Sequence, residues 1–180
     1  MKNYFTFTIA QSTEHHLIQR WVQQPHIREW LHGEGLCNTL LSLVQSFDGP
    51  SESQHWIAYD DDTPFGYLLT SERDLQDEAL SAIEFSGDKA ISLDVFIGEP
   101  TYLGRGVGTQ MLGEFLRFLQ TQWPDLSDVL IDPEVENARA VHVYQKLGFQ
   151  IVDTFIASWH PVPHYLMHLD MVKTSPQFLL

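Results

Sequence analysis

Three glycines at alternate positions, Gly104, Gly106 and Gly108, lie between two different apolar patterns. A β-branched run precedes them and apolar residues at helical spacing follow them, which predicts a strand, a glycine loop and a helix. Glycine permits tight turns and close backbone approach, and the first turn of a helix carries unpaired N–H groups and a partial positive charge. The pattern therefore predicts a cradle for a phosphate group.

The spacing of the glycines excludes two common phosphate loops. The chain has no Gly-x4-Gly-Lys-Ser/Thr run at this point, so it is not a P-loop. A dinucleotide fingerprint needs Gly-x-Gly-x-x-Gly, and the three glycines are too evenly spaced for it. On the loop alone, a glycine-rich helix start without any ligand stays open as the alternative.

A second motif, in residues 129–149, decides between these alternatives. It reads as a strand and then a short helix ending at Gly148, and it contains Asn137, Ala140, Tyr144 and Lys146 at fixed spacing. Together with the glycine loop, it resembles the GNAT superfamily of N-acetyltransferases. The resemblance implies acetyl-CoA as the cosubstrate, with its pyrophosphate on the glycine loop.

The resemblance has one departure. Leu103 stands where the family usually has glutamine or arginine, so one side-chain contact to phosphate is lost while the backbone donors remain. The resemblance implies that the following residues contact acetyl-CoA: Val95, Phe96, Ile97, Leu103, Gly104, Arg105, Gly106, Val107, Gly108, Thr109, Asn137, Ala140, Tyr144 and Lys146.

Further residues, spread over nearly the whole chain, narrow the resemblance. The residues that carry it are His26-Ile27 and Glu29-Trp30, Gly66-Tyr67, Asp94 ten residues before Gly104, and Asp132-Pro133 followed by Asn137. They resemble the aminoglycoside 6'-N-acetyltransferases. Siderophore-biosynthetic acetyltransferases, which acylate a hydroxylamine, share part of this pattern.

Acetyl transfer to an amine sets a demand for titratable groups. An ammonium must lose a proton before it attacks a thioester, and a carboxylate that takes this proton contributes about 10²- to 10⁴-fold. Asp94, mid-strand between apolar neighbours, is the favoured base, with a solvent-facing strand residue as the alternative reading. Asp132, at a strand end before proline, is the second candidate, with a turn residue as its alternative. Tyr144 matches the family's tyrosine that protonates the leaving thiolate; packing in the core is the alternative.

Acceptor contacts are expected from two further parts of the chain, besides Asp94 and Asp132. His26, Glu29 and Trp30 line the acceptor pocket by this interpretation, against ordinary packing at a helix end. Asp77 and Glu78 belong to an acidic segment, residues 71–89, which we expect to be a long functional loop. No metal site is expected. Direct transfer also needs no nucleophile, so no catalytic role is assigned to Cys37.

The elements that must position these residues alternate between helix and strand. The predicted class is α/β (α+β), with a central, mostly antiparallel mixed sheet of about seven strands and about four helices. Residues 12–24 read as one helix capped by Ser12 or Thr13. GNAT domains share this order, and their fourth and fifth strands, here 91–97 and 128–131, splay apart around acetyl-CoA. We expect one domain over residues 1–180.

Composition restricts the partners and the compartment. The formal charge of −14 over 180 residues disfavours nucleic acid and favours cationic partners, although solubility alone also accounts for acidity. The chain contains no apolar run of about 18 residues, so no membrane span is predicted. The single cysteine and the lack of an apolar leader predict a cytoplasmic protein.

These observations lead to one expected function. The chain is expected to transfer acetyl from acetyl-CoA to a primary amine of a polycationic small molecule, an aminoglycoside, as in antibiotic resistance, through a ternary complex. Another small amine or a siderophore hydroxylamine is the alternative acceptor, and a non-catalytic acyl-CoA-binding module is the alternative from another class. The expected assembly is a monomer or homodimer.

Overall fold

The computed structural model describes residues 4–157 and 160–173. Within them, seven strands and five α-helices follow the predicted alternation, and α2 is a single turn. The bounds are β1 Thr6–Ile9, α1 His15–Trp21, α2 Pro25–Arg28, α3 Gly33–Ser46, β2 Ser53–Asp60, β3 Thr63–Glu72, β4 Ala90–Ile97, α4 Val107–Gln122, β5 Asp128–Ile131, α5 Ala138–Lys146, β6 Gln150–Ala157 and β7 His160–Asp170.

The strands form one mixed sheet in the order β1-β2-β3-β4-β5-β7-β6. The pairs β1–β2, β5–β7 and β6–β7 are antiparallel, whereas β4 and β5 are parallel. The parallel register runs from Ala90 opposite Asp128 to Ser92 opposite Leu130, and β4 continues beyond it to Ile97. This mixed sheet with helices confirms the predicted fold class.

The chain divides into two compact units, each built from two separate stretches. The first, Met1–Thr70 with Asp94–Gly108, has a core in which buried residues of α1 to α3 pack against β2 and β3. The members of this core are Ala10, Ile18, Trp21, Val22, Ile27, Leu43, Ile57, Tyr67 and Leu69.

Three polar side chains, Ser42, His55 and Tyr67, are hydrogen-bonded in the core of the first unit. His55 Nδ1 lies 2.5 Å from the Tyr67 hydroxyl, and His55 Nε2 lies 3.1 Å from Ser42 Oγ. Burial lowers the pKa of His55 to about 4. The hydrogen bond with Ser42 has a smaller effect, which raises the pKa. The imidazole is therefore neutral at pH 7, when one ring nitrogen donates and the other accepts.

The second unit, Ser71–Leu93 with Thr109–Leu180, buries all of β5 and the middle of α4, at residues 111–116 and Leu119. Its buried polar residue Asp128 is fully enclosed, and Oδ1 of this carboxyl group lies 2.7 Å from His168 Nε2. The Ser86 backbone N–H also donates to the Asp128 carboxylate. Every carboxylate oxygen of Asp128 is thus supplied with a donor, as a buried charge requires.

Two local expectations differ from the structure. Residues 12–24 do not form one helix, because a 3₁₀ turn at Ser12–Glu14 precedes α1, which ends at Trp21 before Pro25. The cap is Gln11, whose backbone N–H donates to the Glu14 carboxylate at 2.6 Å, so neither Ser12 nor Thr13 is the N-cap. The reciprocal capping pair outcompetes the simple hydroxyl cap.

The acidic segment 71–89 is less loop-like than expected. Its first two residues extend β3, and Glu78–Leu80 forms a 3₁₀ turn. Leu80 and Ile83 are buried in a cluster with Leu130 and Leu166, so apolar packing fixes the middle of the segment. None of the helices in the described ranges is long and apolar enough to cross a membrane.

Candidate active site

Two of the three glycines in the loop adopt a backbone conformation that favours glycine. Gly104 and Gly106 have φ angles of 73° and 76°, in the left-handed region that disfavours side chains. A Cβ at either glycine would meet no atom within 4 Å, so the backbone here faces open space. Gly108 differs, since its φ is not positive and a Cβ there would meet Ile97 at an ordinary 4.0 Å.

Trp21 of α1 anchors the strand end that leads into this loop. A Cβ at Gly98 would lie 2.2 Å from the buried Trp21 ring, so only glycine fits there. Glu99 Oε1 accepts hydrogen bonds from Trp21 Nε1 and from an Arg20 guanidinium nitrogen, each at 2.8 Å. The Gly98 backbone N–H donates to the Phe65 carbonyl at 2.7 Å. These contacts fix where the loop begins.

The side chains of the loop itself contribute little polar surface toward a ligand. Arg105 is exposed and donates to the Thr101 carbonyl at 3.1 Å, which turns its guanidinium back onto the preceding turn. Leu103 is partly buried, and so are Val107 and Thr109 in the first turn of α4. Backbone N–H groups are therefore the donors that the loop offers to an anion.

Asp94 is exposed on β4, which corresponds to the solvent-facing alternative and not to a buried strand carboxylate. Phe96, on the same face of the strand, stacks on Tyr67 with ring centroids 4.7 Å apart. Burial and, secondarily, the charge of Asp94 raise the pKa of Tyr67 well above its usual range. Val95 and Ile97 are partly buried.

Asp132 directly follows β5 and is partly buried. Loss of solvent raises the pKa of its carboxyl group to about 6, against the charge of Arg73 and the residue's own backbone N–H, which both lower it. A carboxyl group with this pKa is mostly ionised at neutral pH and accepts a proton more readily than an ordinary aspartate.

The helix α5 follows the predicted motif closely. The Asn137 side chain caps it by accepting from the Ala140 N–H at 3.1 Å, and Gly148, with a φ of 97°, follows its C-terminus. Tyr144 is buried, with its ring centroid 5.9 Å from that of Phe149, while Lys146 is exposed. The helix therefore combines a capping role for Asn137 with packing of the Tyr144 ring.

Of the residues expected at the acceptor pocket, His26 contacts the end of β4. Its Nε2 lies 2.9 Å from the Ile97 carbonyl, so it braces the end of β4. Glu29 is exposed and Trp30 is partly buried beside α2.

Asp77 and Glu78 of the acidic segment differ in how they are engaged. Asp77 caps the 3₁₀ turn, with Oδ1 accepting from the Ala79 N–H at 3.0 Å and Oδ2 from Arg73 Nη2 at 3.1 Å. Both carboxylate oxygens of Asp77 are thus engaged, whereas Glu78 is exposed. The contact between Asp77 and Arg73 was not predicted from the sequence.

The candidate residues are distributed over the two compact units. The first unit holds the glycine loop and Asp94, and the second holds Asp132, Asn137 and Tyr144. In residues 4–157 and 160–173, no three side chains of histidine, cysteine, aspartate or glutamate are grouped to hold a metal ion.

Comparison with known proteins identifies the family. The family model for the acetyltransferase (GNAT) domain matches residues 11–157. The chain belongs to the GNAT acetyltransferase family. It is therefore an N-acetyltransferase, and the prediction of that enzyme class is confirmed.

Individual GNAT relatives extend this match. The chain is 27% identical over 153 residues to aminoglycoside N(6')-acetyltransferase type 1 of Klebsiella pneumoniae, covering 79% of this chain and 73% of that protein. An aminoglycoside N(6')-acetyltransferase from Legionella pneumophila, of known crystal structure, is 44% identical in sequence to this chain. The two structures align with a TM-score of 0.81 over 99% of this chain and 96% of that one. A structure of AAC(6')-Ib with ribostamycin and coenzyme A shares the GNAT fold, at 22% identity and a TM-score of 0.75, over 94% of each chain.

Proposed function

We propose that this enzyme transfers acetyl from acetyl-CoA to a primary amine of a polycationic small molecule, an aminoglycoside, at its 6' position, by direct transfer in a ternary complex. The observation that carries the proposal is 44% identity, over nearly the full length of both chains, to the Legionella aminoglycoside N(6')-acetyltransferase. The residues described above supply a chemical account of each part of the reaction.

The glycine loop fits the pyrophosphate of acetyl-CoA. Open space over Gly104 and Gly106 leaves the backbone N–H groups accessible to phosphate oxygens just before α4. Backbone groups of Val95 to Ile97, and Asn137, Ala140, Tyr144 and Lys146 of the α5 motif, would hold the remainder. When bound, acetyl-CoA supplies the activated acyl carbon as a thioester.

Asp132 is the general base in this proposal. A base works best when its pKa is close to the operating pH, and the pKa of about 6 meets this condition while leaving the carboxylate ionised at pH 7. Asp94, because it is exposed, suits another task, which is to hold the ammonium group of the acceptor by charge attraction. Tyr144 is the proton donor to the thiolate.

The acceptor is a polycation in this proposal. The chain carries 24 acidic and 10 basic side chains, so it attracts ligands with several ammonium groups. Glu78 on the acidic segment and Glu29 beside α2 are exposed carboxylates that can pair with such groups.

The test is a thiol-release assay with acetyl-CoA against aminoglycosides, linear polyamines, hydroxylamines and peptide amines. We expect aminoglycosides to be the best acceptors, with mass spectrometry locating the acetyl group on the 6' amine. Asp132→Asn should lower kcat by about 10²-fold or more, and Asp94→Asn should mainly raise KM for the acceptor. Asp48→Asn, at an exposed aspartate after α3, is the matched control.

Two outcomes would contradict the proposal. Better turnover of a hydroxylamine than of every aminoglycoside would support the siderophore-type reaction instead. Tight binding of acetyl-CoA without acetylation of any amine would indicate an acyl-CoA-binding module.

A further inference from the structure

The segment that leads from β4 into the glycine loop, residues 98–103, is held in place by backbone hydrogen bonds. The Gly98 and Glu99 N–H groups both donate to the Phe65 carbonyl, at 2.7 Å and 3.1 Å. A 3₁₀ turn over Pro100–Tyr102 follows and closes with two further backbone bonds of 3.1 Å each. The chain therefore reaches the glycine loop from a fixed starting point.

Tyr102, two residues before Gly104, is held by two side-chain contacts at the end of this segment. Its ring stacks on that of Phe65, with ring centroids 4.6 Å apart and an angle of 21° between the planes. Its hydroxyl donates to Asp60 Oδ2 at 3.1 Å, at the end of β2. Phe65 is fully buried, so it holds the start of the segment by its carbonyl and the end by its ring.

The hydrogen bond between Tyr102 and Asp60 joins a neutral donor to a carboxylate. Burial, and then the hydrogen bond to Asp60 and its charge, raise the pKa of Tyr102, so the hydroxyl stays a donor at neutral pH. The charge of a carboxylate near an anion site repels phosphate. Charge alone would therefore make Asp60 unfavourable for phosphate binding at the glycine loop, whereas the hydrogen bond to Tyr102 would make it favourable.

We propose that Tyr102 and Asp60 are positioning residues, which hold the backbone of the glycine loop in the conformation that binds the pyrophosphate of acetyl-CoA. Gly104 and Gly106, with φ angles of 73° and 76°, have more conformational freedom to lose than other residues, so an anchored approach lowers the cost of ordering them on binding. The inference rests on the proposed role of the glycine loop. Neither Tyr102 nor Asp60 was among the site residues predicted from the sequence.

The test measures the affinity of the free enzyme for coenzyme A by calorimetry. Tyr102→Phe removes the hydroxyl and keeps the ring on Phe65, and Asp60→Ala removes the acceptor. Each should weaken coenzyme A binding by about threefold to tenfold, the range of one net hydrogen bond. Asp60→Asn removes the charge but keeps an acceptor oxygen, so its affinity should be close to the native one. The double variant Tyr102→Phe with Asp60→Ala should bind no more weakly than the single variants.

Asp62→Ala is the matched control. Asp62 is an exposed aspartate between β2 and β3, so its replacement changes the net charge as Asp60→Ala does. Because a negative charge is lost, coenzyme A affinity in this control should be unchanged or higher. Asp60→Ala should move the affinity in the opposite direction.

A truncated donor, S-acetylpantetheine, separates positioning of the loop from general damage to the fold. It carries the thioester but no pyrophosphate, so kcat/KM with it should be the same in the native enzyme and in the variants. With acetyl-CoA and the best acceptor of the thiol-release assay, the variants should raise KM and leave kcat nearly unchanged. Equal losses of kcat/KM with both donors would overturn the proposal, and so would an Asp60→Ala variant that binds coenzyme A as tightly as Asp62→Ala.

Variants of Gly106 distinguish a failure of this inference from a failure of the proposed loop function. If Gly106→Asp binds coenzyme A more weakly than Gly106→Asn, but the Tyr102 and Asp60 variants bind it as the native enzyme does, only the positioning role is wrong. If the two Gly106 variants bind it equally, no phosphate lies at the loop and both proposals are overturned.

Discussion

At the scale of residues, the two candidate carboxylates lie in different surroundings. Asp94 and Asp132 are the same residue type, and each stands in or directly after a strand beside apolar neighbours. Their surroundings differ, because Asp94 is exposed whereas loss of solvent raises the pKa of Asp132 to about 6. A proton acceptor for work near neutral pH is therefore more readily made from Asp132.

Tyr144 gives a prediction at the same scale. Tyr144→Phe removes only the hydroxyl and retains the ring that packs near Phe149. If the hydroxyl protonates the leaving thiolate, kcat should fall by about tenfold or more while acetyl-CoA affinity stays nearly constant. Pre-steady-state kinetics with calorimetry checks both quantities.

The matched control for this variant is Tyr4→Phe, at a tyrosine that is 68% exposed. An unaltered chemical step in Tyr144→Phe would reduce Tyr144 to a packing residue. A pre-steady-state measurement is needed because slow product release conceals a change in chemistry.

At the scale of elements, the segment between β4 and α4 is closely packed at Gly98 and faces open space at Gly104 and Gly106. The Trp21 ring leaves no room for a Cβ at Gly98, whereas Gly104 and Gly106 face open space. The anchored side fixes the loop, and the open side exposes its backbone donors. Glycine is thus required at Gly98 by close packing and favoured at Gly104 and Gly106 by their left-handed backbone.

Gly106 permits a matched pair of variants that separates strain from charge. Asparagine and aspartate tolerate the left-handed conformation better than other side chains do and are nearly the same size. Gly106→Asn introduces the side chain, and Gly106→Asp adds a negative charge where a phosphate is expected. Calorimetry should give an acetyl-CoA affinity at least about tenfold weaker for the aspartate than for the asparagine variant, or about 1.4 kcal/mol.

The comparison between the two Gly106 variants is decisive only if both fold, which circular dichroism and thermal melting establish. Equal acetyl-CoA affinity in the two folded variants would mean that no phosphate lies at this loop. In that case the glycines serve only the turn into α4.

At the scale of the whole molecule, the net charge should attract the proposed polycationic acceptor. The net charge of −14 attracts polycations over a distance that salt shortens, because the Debye length is about 10 Å at 0.1 M ionic strength. For a polycationic aminoglycoside, kcat/KM should therefore fall several-fold between about 50 and 500 mM NaCl. A monoamine acceptor should show a much smaller decrease.

Two variants with the same change in net charge distinguish contact between the acidic segment and the acceptor from attraction by the overall charge. Glu78→Gln neutralises an exposed carboxylate of the acidic segment, and Glu52→Gln neutralises an exposed one just before β2. If Glu78 meets the acceptor, only Glu78→Gln should raise KM and flatten its salt dependence. Equal effects of the two variants would assign the steering to net charge alone. Asp77 is unsuited to this test because its carboxylate already forms an ion pair with the Arg73 guanidinium.

Much of this protein could be determined from its sequence, because the decisive signals are local. Apolar patterns predicted β5 with its observed bounds and a short helix before Gly148, and the glycine loop and this helix were recognisable as a family pattern. The GNAT family and the enzyme class followed from these patterns and are confirmed by the comparisons. Periodicity and caps act over a few residues, so a linear sequence contains them fully.

Only the tertiary structure decided which polar groups meet and which lose their water. Residues far apart in sequence form the Trp21–Gly98 contact, and burial raises the pKa of Asp132 while the charge of Arg73, which is also distant in sequence, lowers it. The pKa of a carboxyl depends on solvent access and on charges within a few ångströms, and both are set by strand order and side-chain packing. For that reason the sequence could propose Asp94 and Asp132 as candidates, but the difference between them arises in the folded protein.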